Sequence, residues 1–132
     1  MYHGSSGDAS AILAVLLNEP ERDRIIQATK DASLLAPGSL PYEIGNAISA
    51  LFRKKDLALI DGLAVYHAFM AIPIRLVEVD ILKAVARAFD AGLYAYDAYF
   101  IAVAEARQLP LLTLDRRLAA AARERGVVLV EV

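Results

Sequence analysis

Cysteine is absent from the 132-residue chain, which excludes a disulfide framework, a zinc–thiolate site and a cysteine nucleophile. That composition suits a reducing compartment. An excess of one charge is also missing: 14 basic and 16 acidic side chains leave a formal net charge of −2. So balanced a chain has no global field to attract a nucleic acid, and such a partner must be held by a local patch or by metal ions. The two histidines, His3 and His67, form no convincing catalytic pair and read as peripheral. No stretch reaches the roughly 20 apolar residues of a membrane span, because the most apolar region, residues 57–74, is broken by Asp61, His67 and Pro73. The N-terminus lacks the basic and apolar regions of a signal peptide. Together these absences predict a soluble, cytoplasmic protein with no membrane partner.

Aliphatic residues dominate what is present. Hydrophobic side chains make up 58% and aromatics 8%, which predicts a core of Ala, Leu, Ile and Val in one domain over residues 1–132. Asp8 or Ser10 caps a first short helix over residues 11–17, and Asn18-Glu19-Pro20-Glu21 ends it and opens an exposed helix over 21–30 with Ile25 and Ile26 as its buried stripe. Residues 33–37 read as a buried strand closed by Pro37. Ser39-Leu40-Pro41 starts a long helix, with proline in the first turn where its missing N–H is harmless. Leu40, Ile44, Ala47, Ile48 and Leu51 form its apolar stripe. Residues 57–71 form a helix that is apolar almost all round and calls for a further packing partner, such as a second subunit. A strand over 74–79, an Asp80-capped helix over 81–90 and a strand over 111–113 follow. A helix over 116–125 capped by Gly126 and a last strand over 127–130 complete the chain. This alternation predicts an α/β fold: a single-domain α/β/α sandwich around a central, mostly parallel sheet.

The chemistry gathers around residues 94–118. Asp97 sits where an N-cap belongs, ahead of Tyr99, Phe100, Ile101 and Val103. Asp115 follows a strand directly and opens an Ala-rich helix. In parallel α/β sheets the strand-to-helix turns emerge at the carboxyl edge of the strands, where ligands bind. Taken singly, each Asp is explained as a helix cap; the pair gains meaning only if other acids converge on it. Asp8 also opens a helix, and Glu43 lies in the first turns of a helix that follows a strand.

Four segments carry a resemblance. They are Asp8-Ala9-Ser10-Ala11-Ile12-Leu13-Ala14 followed by Leu17-Asn18-Glu19-Pro20, then Pro41-Tyr42-Glu43-Ile44-Gly45-Asn46-Ala47, then Tyr96-Asp97-Ala98-Tyr99-Phe100-Ile101-Ala102-Val103-Ala104, then Leu112-Thr113-Leu114-Asp115-Arg116-Arg117-Leu118. In that order they resemble the motifs of the PIN-domain ribonucleases, nearest the VapC-like toxins of toxin–antitoxin pairs. Each motif is weak alone; four in order across nearly the whole chain are specific. The resemblance implies a PIN-like fold, a metal-dependent endoribonuclease that hydrolyses RNA phosphodiester bonds, and Mg²⁺ or Mn²⁺ as cofactor. It also implies RNA as substrate and a cognate antitoxin protein as partner. Asp8, Glu43, Asp97 and Asp115 become the catalytic and metal-binding set, with Asp8, Asp97 and Asp115 as direct or water-bridged ligands. Glu43 is a further ligand or the group that orients the attacking water. Thr113 and Asn46 are supporting candidates, with Ser10 behind them. One segment departs from the family: before Asp8, where an apolar strand is usual, the chain reads Tyr2-His3-Gly4-Ser5-Ser6-Gly7. This implies a weak central strand or an altered N-terminus.

The residues themselves support that chemistry. Side chains offering only oxygen select hard cations such as Mg²⁺ or Mn²⁺. Two carboxylates about 5 Å apart repel by roughly 3 kcal/mol at an effective dielectric near 20, so a cluster of acids is poorly explained by stability. Tyr94, Tyr96 and Tyr99 read mainly as packing, with Tyr96 a candidate for lining a groove. Arg116 and Arg117 read equally as phosphate contacts or as a solvated helix face. Other acidic α/β proteins fit less well. A receiver-type phosphorylation switch needs a lysine near its last strand, whereas the last lysine here is Lys83, and an aspartate phosphatase needs a second Asp at the position of Ser10. A non-catalytic PIN-like module that binds RNA or protein is the main alternative, and a homodimer is expected through the apolar helix over 57–71.

Overall fold

The computed structural model describes residues 4–132; His3 lies outside the described residues. Four parallel strands form one sheet in the order β3-β2-β1-β4. Strand β1 (Gly4–Gly7) lies inside the sheet, paired with β2 (Ser33–Pro37) on one side and β4 (Leu111–Leu112) on the other. Strand β3 (Ile74–Val77) extends the sheet beyond β2. The Gly-Ser segment, unpromising by composition, is thus an inner strand. A ladder is made by backbone N–H and C=O groups, which glycine and serine supply as well as valine does. The apolar surface comes from its neighbours: Ile12 Cδ1 and Leu112 Cδ2 stand 3.7 and 3.9 Å from where a Gly7 Cβ would lie.

The strand order creates the site. From β1 the chain steps outward to β2 and β3, then returns across β1 to β4. The direction of winding therefore reverses between β1 and β4, the position in an open parallel sheet where ligands bind beside the carboxyl ends of the strands. Asp8 directly follows β1, and Thr113 directly follows β4.

Helices cover both faces of the sheet. Leu112 packs with Ala11 and Ala14 of α1 (Ala9–Leu16) and Ile25 of α2 (Arg22–Thr29). Ala36 belongs to a cluster with Leu40, Ile44 and Ile48 of α3 (Leu40–Arg53) and Phe69 of α4 (Leu59–Met70). Leu35, one residue away and so on the opposite face, packs with Val103 of α6 (Ala95–Arg107). The helix α5 (Ile81–Ala91) leans on α6 through Ala84, Ala88 and Ala98, and α7 (Arg116–Glu124) buries Leu118 and Ala122. Gly92, at φ 66°, takes the left-handed conformation that ends α5 and turns the chain toward α6.

Two expectations are corrected and one stays open. The last strand over 127–130 is reduced to a single parallel bridge between Leu111 and Leu129, because β4 itself is only two residues long and offers little to extend. The helix at 57–71 has no second packing partner among the described residues: α4 buries only Gly62 and Phe69 and leaves Leu59, Ile60, Leu63 and Met70 exposed. Asp97 is not an N-cap, since α6 begins at Ala95 with Tyr94 in the extended cap position. No helix among the described residues is long and apolar enough to cross a membrane.

Candidate active site

Asp8 is the best-anchored member of the acid set. Its backbone N–H donates to the Leu112 carbonyl at 3.1 Å, which ties the end of β1 to β4. It is the N-cap of α1, accepting the Ala11 N–H on Oδ1 at 3.1 Å. Ser10 Oγ donates to the same oxygen at 2.7 Å, and Thr113 Oγ1 donates to Oδ2 at 2.6 Å. Only 5% exposed, it is the one buried ionisable side chain among the described residues. Burial raises its pKa above the ordinary carboxyl range; the three donors oppose that shift, and the nearby charge of Asp115 adds to it.

Thr113 and Ser10 knit the crevice together. Thr113 Oγ1 also accepts the Asp115 N–H at 3.0 Å, and Ser10 Oγ accepts the Leu114 N–H at 3.0 Å. A β4 loop residue and an α1 residue thereby hold one carboxylate between them. Ser10, ranked last among the supporting residues from sequence, does as much here as Thr113. The available signal was its position two residues beyond Asp8, where a serine joins an Asp cap. Asn46 is different: its side chain is exposed and makes no hydrogen bond among the described residues.

Asp115 is the N-cap of α7 and accepts the Arg117 and Leu118 N–H groups on Oδ1 at 2.9 and 3.2 Å. Glu43 lies in the first turn of α3 and accepts a hydrogen bond from Ser39 Oγ on Oε2 at 3.0 Å. The sequence marks Ser39 only as the start of the helix, although its spacing of four residues from Glu43 also makes this bond readable. Burial pushes the Glu43 pKa up to about 7; Ser39 opposes this, and the charges of Asp8 and Asp97 add to it. Asp97 lies in the first turn of α6 and is raised by burial and then by Asp115, with the Arg117 cation pulling the other way. Arg117 also stands over the Tyr94 ring, 6.0 Å from its centre. Tyr96 and Tyr99 pack edge to face at 5.9 Å.

Four segments distant in sequence thus bring Asp8, Glu43, Asp97 and Asp115 into one electrostatic neighbourhood. Among the described residues no three acidic or histidine side chains are gathered tightly enough to cage an ion unaided. The donor chemistry nevertheless fits a hard cation. Every candidate ligand is a carboxylate, three of them are shifted toward protonation by burial and by one another, and a divalent ion relieves both effects.

Comparison with known proteins follows the same lines. The family model described as PIN domain matches residues 8–124. The VapC ribonuclease Mb0985 of Mycobacterium bovis is 32% identical over 111 residues, covering 84% of this chain and 85% of that protein. Ribonuclease VapC12 of Mycobacterium tuberculosis is 26% identical over 112 residues, covering 85% and 87%. Among solved structures, PAE2754 from Pyrobaculum aerophilum superposes with a TM-score of 0.73 at 25% identity, covering 98% of this chain and 84% of that one. VapC20 of Mycobacterium tuberculosis, a sarcin–ricin loop cleaving toxin, superposes with a TM-score of 0.61 at 15% identity over 88% and 93%, a likeness of fold.

Proposed function

The chain belongs to the PIN-domain family, among its VapC-like members, and from that premise we propose that it is a metal-dependent endoribonuclease, the toxin of a toxin–antitoxin pair. The observation that carries the reading is the arrangement of Asp8: a buried carboxylate, held by Ser10 and Thr113 and close to the charges of Glu43 and Asp115, both of which also interact with Asp97. Asp8, Asp97 and Asp115 would hold Mg²⁺ or Mn²⁺, with Glu43 as a further ligand or the residue that handles the proton of the attacking water. The ion supplies charge neutralisation at the scissile phosphate and lowers the pKa of bound water.

The chain's own residues supply position and proton transfer. Ser10 and Thr113 orient Asp8, so that it need not reorganise when substrate arrives. Glu43, raised by burial to about 7 in the metal-free chain, would be a carboxylate able to accept a proton once a bound cation favours its charged form. Arg117 offsets the negative charge at Asp97. Action in the cytoplasm, pairing with a cognate antitoxin and a homodimeric state complete the proposal. The dimer is supported by exposed apolar side chains on α4 (Ile60, Leu63) and α5 (Leu82, Phe89), more than a lone monomer usually leaves in water.

Purified chain incubated with structured and single-stranded RNAs in Mg²⁺, Mn²⁺ or EDTA tests the reading. Cleavage should require the divalent ion and leave 5′-phosphates, because water rather than the 2′-hydroxyl attacks. Undiminished cleavage in EDTA, or 2′,3′-cyclic phosphate products, overturns it. RNA binding with no cleavage under any ion would instead favour a non-catalytic PIN-like module.

A further inference from the structure

A groove of about 1040 Å³ begins at Thr113, Leu114 and Asp115 and runs away from the acid set between α7 and residues 127–132. Arg116 and Arg123 line its α7 wall with Ala119 between them, and Glu131 lies on the opposite wall. The spacing of seven residues puts both arginines on one helical face, about 10.5 Å apart along the axis. Both are exposed, and neither has an ion-pair partner among the described residues. The other arginines nearby are occupied: Arg125 pairs with Glu105, and Arg117 faces Asp97 and the Tyr94 ring. Ala119 keeps the space between Arg116 and Arg123 open.

We infer that this groove carries the RNA strand on one side of the scissile phosphate, with Arg116 and Arg123 each holding a different backbone phosphate. The inference rests on the ribonuclease reading and extends it by naming the path and the contacts. Two features support a strand in this groove: it opens onto Asp115 and Thr113 at one end, and two arginines without ion-pair partners among the described residues lie along one wall, opposite Glu131. A guanidinium fork suits a phosphate in two-point contact. In a chain with no excess positive charge, these contacts supply the local patch that a polyanion requires.

The test measures binding apart from cleavage. Fluorescence anisotropy of a labelled single-stranded RNA of about 12 nucleotides is followed against salt, without divalent ions, for the parent chain, for Arg116→Gln/Arg123→Gln and for Glu131→Gln. Loss of two phosphate contacts should flatten the slope of log affinity against log salt by about 1.4, and Glu131→Gln should tighten binding. Circular dichroism melting of each variant establishes that it is folded; these are exposed polar exchanges. Parent-like slope and affinity in the double variant overturn the inference, while Mn²⁺-dependent cleavage by the parent would leave the ribonuclease reading standing. Arginine-dependent RNA binding by a parent that cleaves nothing would do the reverse. If polyglutamate binds through the two arginines and RNA does not, the groove takes an acidic polypeptide and the inference falls.

Discussion

Asp97 accepts no hydrogen bond among the described residues, whereas Asp8, Glu43 and Asp115 are each held by donors. As a first-turn residue it gains about 0.3–1 kcal/mol from the helix dipole, set against burial and like-charge repulsion from Asp115. Burial and repulsion together are the larger effect. Asp97→Asn should therefore abolish cleavage while leaving the metal-free melting temperature equal or higher. Melting and RNA cleavage measured on one preparation decide this, and a variant that cleaves at the parent rate removes Asp97 from the site. Glu43 gives a pH prediction with a definite sign. Its folded pKa, about 7, lies above the ordinary 4.5, so between those values the folded state binds more protons than the unfolded one. Stability then falls as pH rises from about 4.5 to 7, and Asp8 and Asp97 shift in the same direction. Solvent screening at half-buried Glu43 brings its contribution to the order of 1–2 kcal/mol. Thermal melts of metal-free protein at pH 5.5 and 8 should show the lower stability at pH 8, and saturating Mn²⁺ should narrow the difference.

At the scale of elements, the inner strand β1 invites a simple change. A Cβ at Gly7 would meet only ordinary van der Waals contacts, with no left-handed φ to oppose it. Gly7→Ala should raise stability by about 0.4–1 kcal/mol through reduced freedom of the unfolded chain, with cleavage retained; a lower denaturation midpoint in urea would count against it. This strand also marks the limit of what the sequence disclosed. Periodicity located α3 closely, the Asp80 cap located α5, and Asp115 caps α7 as its position suggests. The strand Gly4–Gly7 was obscure because its side chains carry no β preference, its place being determined by backbone pairing on both sides. The start of α6 was misjudged because Asp97 looks like a cap, yet Tyr94 at that helix start makes no side-chain cap hydrogen bond at all. The four acids were legible from their flanks, and so was the reach of Ser10 to the Asp8 cap; its bond to Leu114 was not, since that depends on a loop more than 100 residues away.

For the whole molecule, the outer surface matters as much as the crevice. Phe89 and Leu82 on α5 are 87% and 83% exposed, and Ile60 on α4 is 78% exposed. The sequence pointed to α4 and its neighbours; α5 adds exposed apolar side chains of its own. Light scattering at tens of micromolar should give the mass of a dimer, and Ile60→Glu or Phe89→Glu should shift it toward the monomer without lowering secondary-structure content. A parent that is monomeric under those conditions excludes the dimer.

The bond between Thr113 and Asp8 joins residues 105 positions apart. At a synthesis rate of about 5–20 residues per second, some 5–20 s separate the emergence of the two from a ribosome. Until Thr113 and Asp115 have left the exit tunnel, a nascent chain has Asp8, Glu43 and then Asp97, but no β4 to bring Asp115 beside them. The proposed hydrolytic centre is completed only once β4 and Asp115 emerge, and a chain halted before Leu111 should be inert toward RNA.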